Sequence, residues 1–132
     1  MTHHEKPRII KTGDAPAAIG PYSQGIVAGD LLFISGQIPL DPETGELIEG
    51  DIGIKTDRII QNIATIAKAG GTDLSRVVKT TIFLTDMGDF AAVNDAYAEH
   101  FGEILPARST VQVAALPKGV NIEMEAVVLM PE

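Results

Sequence analysis

Hydrophobic positions along the chain change their period several times, and each change predicts a different element. Between about Asp51 and Ala69 the apolar residues return every three to four positions, with charged and amide side chains between them. That spacing is typical of an amphipathic helix with one buried face. Asp51 can cap the start of this helix, and the left-handed conformation available to Gly70 and Gly71 can end it. The pattern therefore predicts a first helix over residues 51–69.

A second stretch of helical spacing runs from about Asp89 to Phe101. Asp89 is the expected N-cap and Gly102 the expected stop. The residues predicted on the packed side of this helix are Val93, Ala96, Tyr97 and Phe101. The sequence therefore predicts a second, shorter helix. The residues between the two helices are enough for one strand.

Runs rich in β-branched and other apolar residues predict the strands. Two of these runs lie within residues 25–40 and are joined at "AGD" (28–30), which is a short hairpin signal. The other predicted strands cover 8–12, 76–85, 108–115 and 121–130. We expect the last two strands to pair antiparallel through a turn centred on "PKG".

The order of these elements indicates the fold class. Two or three strands come first, and then a helix, a strand, a helix and two further strands. This order predicts an α+β fold in which a single mixed sheet carries two helices on one face. No linker, repeat or low-complexity tract divides the chain, so we expect one domain over residues 1–132.

The last predicted strand indicates what covers the other face of the sheet. Its even positions are all apolar, whereas its odd positions begin with Glu123 and Glu125 and continue with Val127 and Leu129. A face exposed to solvent would normally be polar throughout. We therefore expect a second copy of the chain to cover this face, in a homo-oligomer with closed ring symmetry. The alternative is a monomer whose irregular loops cross that face.

Composition narrows the possible functions further. The formal net charge of -8 disfavours nucleic-acid binding, because counterion release requires a basic surface. Cysteine is absent, which excludes disulfides and thiolate metal sites and fits a reducing cytosol. No segment is apolar enough for a membrane span or a leader peptide, so we expect a cytoplasmic protein with no membrane contact. His3 and His4 are expected to lie in a frayed tail rather than a metal site.

Two charged residues stand where a mostly aliphatic tail predicts a core. Glu123 falls on the face expected to meet another subunit, and Arg108 follows Pro106 at the start of a strand. A guanidinium offers a planar fork that matches a carboxylate. A glutamate can orient a water and accept its proton. The spacing alone does not place the two side chains together. The alternative to a binding site is an Arg–Glu ion pair that links subunits.

Five motifs in this order resemble the Rid family, also called the YjgF or reactive-intermediate deaminase family. They are "GPYSQGI", "FISGQIPLDPETGEL", "VVKTTIFLTDMGDFAAVNDAYAEHF", "PARSTVQVAALPKG" and "IEMEAV", and the likeness runs from about Ala15 to Leu129. The resemblance implies a chorismate-mutase-like fold and a homotrimer whose sheets face a central barrel. It also implies clefts between subunits that bind small 2-keto or 2-imino acids. The implied activity is hydrolysis of reactive imines and enamines, such as 2-iminobutanoate and 2-iminopropanoate, to 2-keto acids and ammonia.

The resemblance assigns roles to six residues of this chain. Arg108 corresponds to the arginine of "PARS" that binds the substrate carboxylate, and Glu123 to the glutamate that positions the attacking water. Thr110 stands where many relatives have cysteine, and its backbone N–H and hydroxyl remain available to a ligand. The other implied substrate-binding residues are Tyr22, Gly36 and Asn94. This chemistry requires no metal and no cofactor.

Two other functions remain open at this point. One is a non-catalytic, chaperone-like trimer that binds a 2-keto acid in the same cleft. The other is the endoribonuclease or translation-inhibitor activity ascribed to some relatives, which the acidic composition makes the weakest of the three.

Overall fold

The computed structural model describes residues 6–132, so His3 and His4 lie outside the described residues. It confirms the predicted order of elements. The strands are β1 (Arg8–Ile10), β2 (Gly25–Ala28), β3 (Leu31–Gln37), β4 (Val77–Leu84), β5 (Ala107–Gln112) and β6 (Ile122–Leu129), and the helices are α1 (Ile52–Ala69) and α2 (Phe90–Ala98).

The six strands form one mixed sheet in the spatial order β1-β2-β3-β6-β4-β5. Every neighbouring pair is antiparallel except β4 and β5, which are parallel. Helix α1 packs against β3 and β6 on one face of the sheet, and α2 packs beside α1. The α+β fold with two helices on one face is therefore confirmed.

The expected pairing of the last two strands is wrong. Strand β6 lies between β3 and β4, while β5 pairs with the other edge of β4. The reason is the connection through α2, which returns the chain to the starting end of β4 and so gives a parallel neighbour. Residues 113–121 then carry the chain across the far end of β4, where Val113 N donates to Leu84 O and Thr85 N donates to Asn121 O.

Helix α1 begins and ends close to the predicted positions. The Asp51 carboxylate accepts a hydrogen bond of 3.0 Å from the backbone N–H of Ile54, which satisfies one of the free donors of the first turn. Gly70 keeps a helical φ of -79°, and Gly71 with φ of 92° is the left-handed residue that ends the helix. The 18-residue α1 is too polar to cross a bilayer, and α2 is too short to do so.

Helix α2 differs from its prediction at both ends. It ends at Ala98 rather than Phe101, and Asp89 makes no capping hydrogen bond. A single 3₁₀ turn over Met87–Asp89 precedes the helix, with Asp86 as its cap. Asp89 already has a helical φ of -81° and ψ of -3°, which is not the extended conformation that a capping aspartate needs. Gly102 therefore lies beyond the helix end rather than at it.

The two faces of the sheet differ as predicted. The even positions of β6 are at most 3% exposed and lie under the helices: Ile122, Met124, Ala126 and Val128. On the other face Phe33, Val111 and Leu129 are 45%, 41% and 38% exposed. The second apolar face is thus present in the single chain, and its coverage by another copy stays a prediction.

Candidate active site

Arg108 lies on the edge strand β5 and points to the helix side of the sheet. In the β4–β5 register it is opposite Thr80, which is buried and shares a hydrogen bond of 2.7 Å with the Tyr97 hydroxyl of α2. The guanidinium carbon of Arg108 is 4.9 Å from the centre of the Tyr97 ring and 5.5 Å from the centre of the Phe90 ring. Both distances are within the range of a cation–π contact. Arg108 is therefore held against α2.

The hydrogen-bond donors of Arg108 have no partner in the part of the chain that the structure describes. Among residues 6–132 no hydrogen bond and no ion pair reaches its guanidinium. The chain's other arginines all donate to protein acceptors: Arg8 to Gly70 O, Arg58 to the Asn62 side chain, and Arg76 to Leu129 O and Met130 O. A guanidinium has five N–H donors in a planar fork. That of Arg108 is available to a carboxylate from outside the chain.

Asn94 and Thr110 lie beside Arg108. Asn94 is four residues after Phe90 and three before Tyr97, which places all three on one face of α2. Thr110 is two residues after Arg108 and so shares its side of β5. Asn94 Oδ1 and Thr110 Oγ1 are buried and have no hydrogen-bond partner among residues 6–132. An unpaired buried polar atom costs about 1–3 kcal/mol. A bound polar molecule would offset that cost.

Glu123 lies on the opposite face of the sheet. It is opposite Phe83 in the β4–β6 register, on the side away from the helices. Its carboxylate fills the space beside Gly36, where β3 departs from regular pairing between Ile34 and Gln37. A Cβ atom on Gly36 would overlap Oε2 of Glu123 and lie 2.9 Å from its carboxyl carbon. Glycine at position 36 is therefore what makes room for the carboxylate.

A cleft of about 210 Å³ opens beside Glu123 and Gly36, and Tyr22 forms part of its wall. The loop that carries Tyr22 is fixed by the buried Gln24 side chain. Gln24 Oε1 accepts from Thr12 N at 2.7 Å, and its Nε2 donates to Pro16 O at 2.8 Å. This loop gives the cleft a defined wall although it has no regular secondary structure.

Burial raises the pKa of the Glu123 carboxyl, and the nearby negative charge of Glu125 raises that pKa further. The sequence alone does not decide the direction of this pKa shift, because burial would raise the pKa of Glu123 and a neighbouring Arg108 would lower it. Within the chain burial decides the direction. A carboxylate with a raised pKa is a stronger base than an ordinary one.

The six predicted residues thus form two groups rather than one. Arg108, Asn94 and Thr110 form the arginine group on the helix side, and Glu123, Gly36 and Tyr22 form the glutamate group on the open side. A single chain does not bring the two groups together, so their convergence in one cleft stays a prediction. Within residues 6–132 no three His, Cys, Asp or Glu side chains come together as metal ligands would.

Sequence reasoning missed the roles of Phe90 and Gln24. Phe90 lies against Arg108. The i, i+4, i+7 spacing of Phe90, Asn94 and Tyr97 indicates that the three share one face of the helix, but it does not indicate what their side chains contact. Tyr97 was predicted as a packing residue only, and it does pack against Phe101 with ring centres 4.6 Å apart. The role of Gln24 could not be predicted from the sequence, because loop residues follow no hydrophobic period that would indicate which of them are buried.

Known proteins are similar to this chain over nearly its whole length. The family described as Endoribonuclease L-PSP matches residues 12–130. The chain therefore belongs to this family, which is the Rid or YjgF family of the sequence resemblance. The solved structure of a putative endoribonuclease from Thermotoga maritima has a TM-score of 0.91 at 51% identity, covering 95% of this chain and 98% of that one. The YjgF gene product of E. coli has a TM-score of 0.87 at 44% identity, covering 94% and 99%.

The relatives carry different names. A RutC family protein of Pyrococcus horikoshii is 54% identical over 90% of this chain and 94% of its own length. The human 2-iminobutanoate/2-iminopropanoate deaminase is 47% identical over 92% of this chain and 89% of its own length. These relatives belong to the same family as this chain, but their names do not give one common reaction.

The raised pKa of Glu123 predicts a pH-dependent gain in stability for Glu123→Gln. Below about pH 4 the carboxyl is protonated in both the folded and the unfolded chain, so it costs nothing there. As the pH rises, the unfolded chain loses the proton first, so the penalty on the folded state grows until the pH exceeds the raised pKa and stays constant above it. Glu123→Gln removes this penalty. Urea unfolding should show E123Q to be more stable than wild type at pH 7 and equal to it at pH 4.

The matched control is Glu125→Gln, which lies two residues further along β6 on the same face of the sheet. Glu125 is exposed and contributes only the smaller, like-charge part of the effect on Glu123. Its gain at pH 7 should therefore be smaller. A variant E123Q that is less stable than wild type at pH 7 would contradict the prediction that burial within one chain decides this pKa, and would mean that a positive charge, such as Arg108 of a neighbouring copy, pairs with Glu123.

Proposed function

We propose that this protein hydrolyses 2-imino acids and their enamine tautomers to 2-keto acids and ammonia. The observation that carries the proposal is Arg108, a guanidinium held by two rings with its donors unpaired within the described chain. Such a group suits the carboxylate of a small acid. Mammalian relatives named 2-iminobutanoate/2-iminopropanoate deaminase, at 47–48% identity, favour the same chemistry.

The reaction needs the two groups of residues in one cleft, which requires more than one copy of the chain. The arginine group and the glutamate group are different surfaces on opposite faces of the sheet. A contact that joins two different surfaces is head-to-tail, and repeating it closes a ring where the rotation between copies divides a full turn evenly. The exposed apolar face around Phe33, Val111 and Leu129 offers area to bury in such a ring. We propose the homotrimer that the family resemblance implies, in the cytosol.

Each group then has a separate task. Arg108 binds the substrate carboxylate through paired hydrogen bonds, and the Thr110 hydroxyl donates to the same end of the molecule. The Glu123 carboxylate on the neighbouring copy orients a water and accepts one of its protons. The water oxygen bonds to the imine carbon while the C=N π electrons move to nitrogen, giving a tetrahedral carbinolamine. In the protonated imine, Glu123 returns the proton to that nitrogen, and the C–N bond then breaks so that ammonia leaves. As the C=O bond forms, Glu123 accepts the proton of the carbinolamine hydroxyl, and this proton passes to the released ammonia to give ammonium.

The substrate itself lowers the demands on the protein. An iminium carbon is already electrophilic, so orientation and one proton acceptor are sufficient. Fixing the reactants can supply much of the barrier reduction, about 7–11 kcal/mol in well-oriented systems. Gly36 contributes by leaving the Glu123 carboxylate unobstructed, and Tyr22 closes the wall of the cleft.

Substitution of Arg108 tests the proposal directly. An imine would be generated by a dehydratase or an amino-acid oxidase, and its disappearance followed by trapping with semicarbazide. We expect Arg108→Ala to lower kcat/KM by about 10²- to 10³-fold, the usual cost of leaving one partner of a charged pair without the other. Arg108→Lys should be nearly as damaging, since an ammonium cannot reproduce the bidentate fork. The control Arg58→Lys changes an arginine of α1 whose Nε–H donates to Asn62, and should leave the rate unchanged.

The same assay separates the competing functions. Wild-type protein that is no faster than buffer would leave only keto-acid binding. RNA cleavage that persists in Arg108→Ala would place a ribonuclease activity at another site, against the net charge of -8. Near-normal rates in Arg108→Lys would contradict carboxylate binding by the guanidinium.

Gly36→Ala should separate activity from folding. The added methyl group would collide with the end of the Glu123 side chain, which can rotate away, rather than with backbone. We expect a change in stability of at most about 1 kcal/mol. Displacing the base by about 1 Å should nevertheless lower kcat/KM on the order of 10²-fold. Thermal unfolding and the imine assay on the same sample measure both. A stable and fully active variant would show that the position of the Glu123 carboxylate does not matter.

A further inference from the structure

Two aromatic rings of α2 lie against the Arg108 guanidinium. Tyr97 and Phe90 are seven residues apart and so lie on one face of the helix, two turns from each other. Their ring centres are 4.9 Å and 5.5 Å from the guanidinium carbon. Among residues 6–132 no hydrogen bond fixes this group. The rings are therefore the contacts that can orient it.

The Tyr97 ring is itself fixed. Its hydroxyl shares a hydrogen bond of 2.7 Å with Thr80 of β4, and its ring packs against Phe101. Tyr97 is only 5% exposed, so its face toward Arg108 cannot move far. Phe90, at the first position of α2, is 37% exposed, and its ring centre is farther from the guanidinium carbon than that of Tyr97.

We propose that Phe90 and Tyr97 are positioning residues that hold the Arg108 guanidinium by contact with their ring faces and leave its N–H donors free for the substrate carboxylate. This inference rests on the proposed function and assigns residues that act through Arg108 rather than on the substrate. A protein carboxylate or carbonyl could also have fixed Arg108, but it would have used the donors that the substrate needs. Ring faces fix a cation without using its donors.

The test compares variants that remove a ring with variants that keep one. Phe90→Leu and Tyr97→Leu keep an apolar side chain but lose the ring face, and we expect each to lower kcat/KM roughly 3- to 30-fold, mainly through a higher KM. Phe90→Trp and Tyr97→Phe keep a ring and should retain most of the wild-type value. Tyr97→Phe also loses the hydrogen bond to Thr80, so it should be less stable than wild type while remaining active.

Phe101→Leu is the matched control. It removes a ring that packs against Tyr97 but is not in contact with the guanidinium. A purely structural role for Phe90, Tyr97 and Phe101 predicts that activity follows stability in all five variants. Positioning by the rings predicts instead that Phe101→Leu and Tyr97→Phe lose stability and keep activity, whereas Phe90→Leu loses activity.

Binding of 2-oxobutanoate, measured by calorimetry, provides a second readout that does not depend on turnover. Weaker binding by Phe90→Leu and Tyr97→Leu, restored in the ring-retaining variants, supports the inference even if wild type proves unable to hydrolyse imines. In that case the proposed function fails and the role of the rings stands. Wild-type binding and kcat/KM in both leucine variants would overturn the inference, as would Tyr97→Phe being as damaging as Tyr97→Leu. A wild-type protein that neither binds the keto acid nor hydrolyses imines would overturn both.

Discussion

The placement of β6 between β3 and β4 fixes which residues can meet. It puts Glu123 on the open face of the sheet, and the parallel pairing of β5 with β4 puts Arg108 on the helix face. A sheet is one backbone thick, and alternate side chains cannot exchange faces without a shift of register. The two charges therefore cannot form an ion pair within one chain. Any chemistry that uses both requires a second copy.

Each face is incomplete in a way that fits this separation. On the helix side, the Arg108 donors and the buried oxygens of Asn94 and Thr110 have no partner among residues 6–132. On the open side, burial and then the negative charge of Glu125 raise the pKa of Glu123, and no positive charge among the described residues offsets them. These features cost folding free energy in a single chain. In a cleft where two copies bring these sides together, the carboxylate of a ligand would pair with Arg108 and a water would bind Glu123.

The sequence predicted those features whose causes are local. Helix α1 was placed within a residue of its observed start, because Asp51 caps it and its apolar period is regular. The faces of β6 followed from strict alternation. The pairing of β5 was predicted wrongly, because the choice between β4 and β6 as its neighbour depends on the path of α2 rather than on the strand's own residues. The cap at Asp89 was wrong because a 3₁₀ turn already starts the helix there.

The candidate site was predictable only in part. The resemblance assigned roles to Arg108 and Glu123, but it could not show that they lie on opposite faces of one sheet. Phe90 was missed because an apolar residue at a helical position indicates packing, and nothing in its period distinguishes a core contact from a ring beneath a guanidinium. Gly36 was assigned by resemblance, and its physical reason, the room it leaves for the Glu123 carboxylate, required the structure.

The central claim is that one cleft takes its arginine from one copy and its glutamate from another. Mixing two inactive variants, Arg108→Ala and Glu123→Ala, tests it most directly. The two would be unfolded together in equal amounts, refolded and assayed for imine hydrolysis beside each variant refolded alone. If clefts form between copies, random assembly leaves about a quarter of them with both residues intact, so the mixture should recover about a quarter of wild-type activity. A mixture no more active than its separate components would contradict the shared cleft.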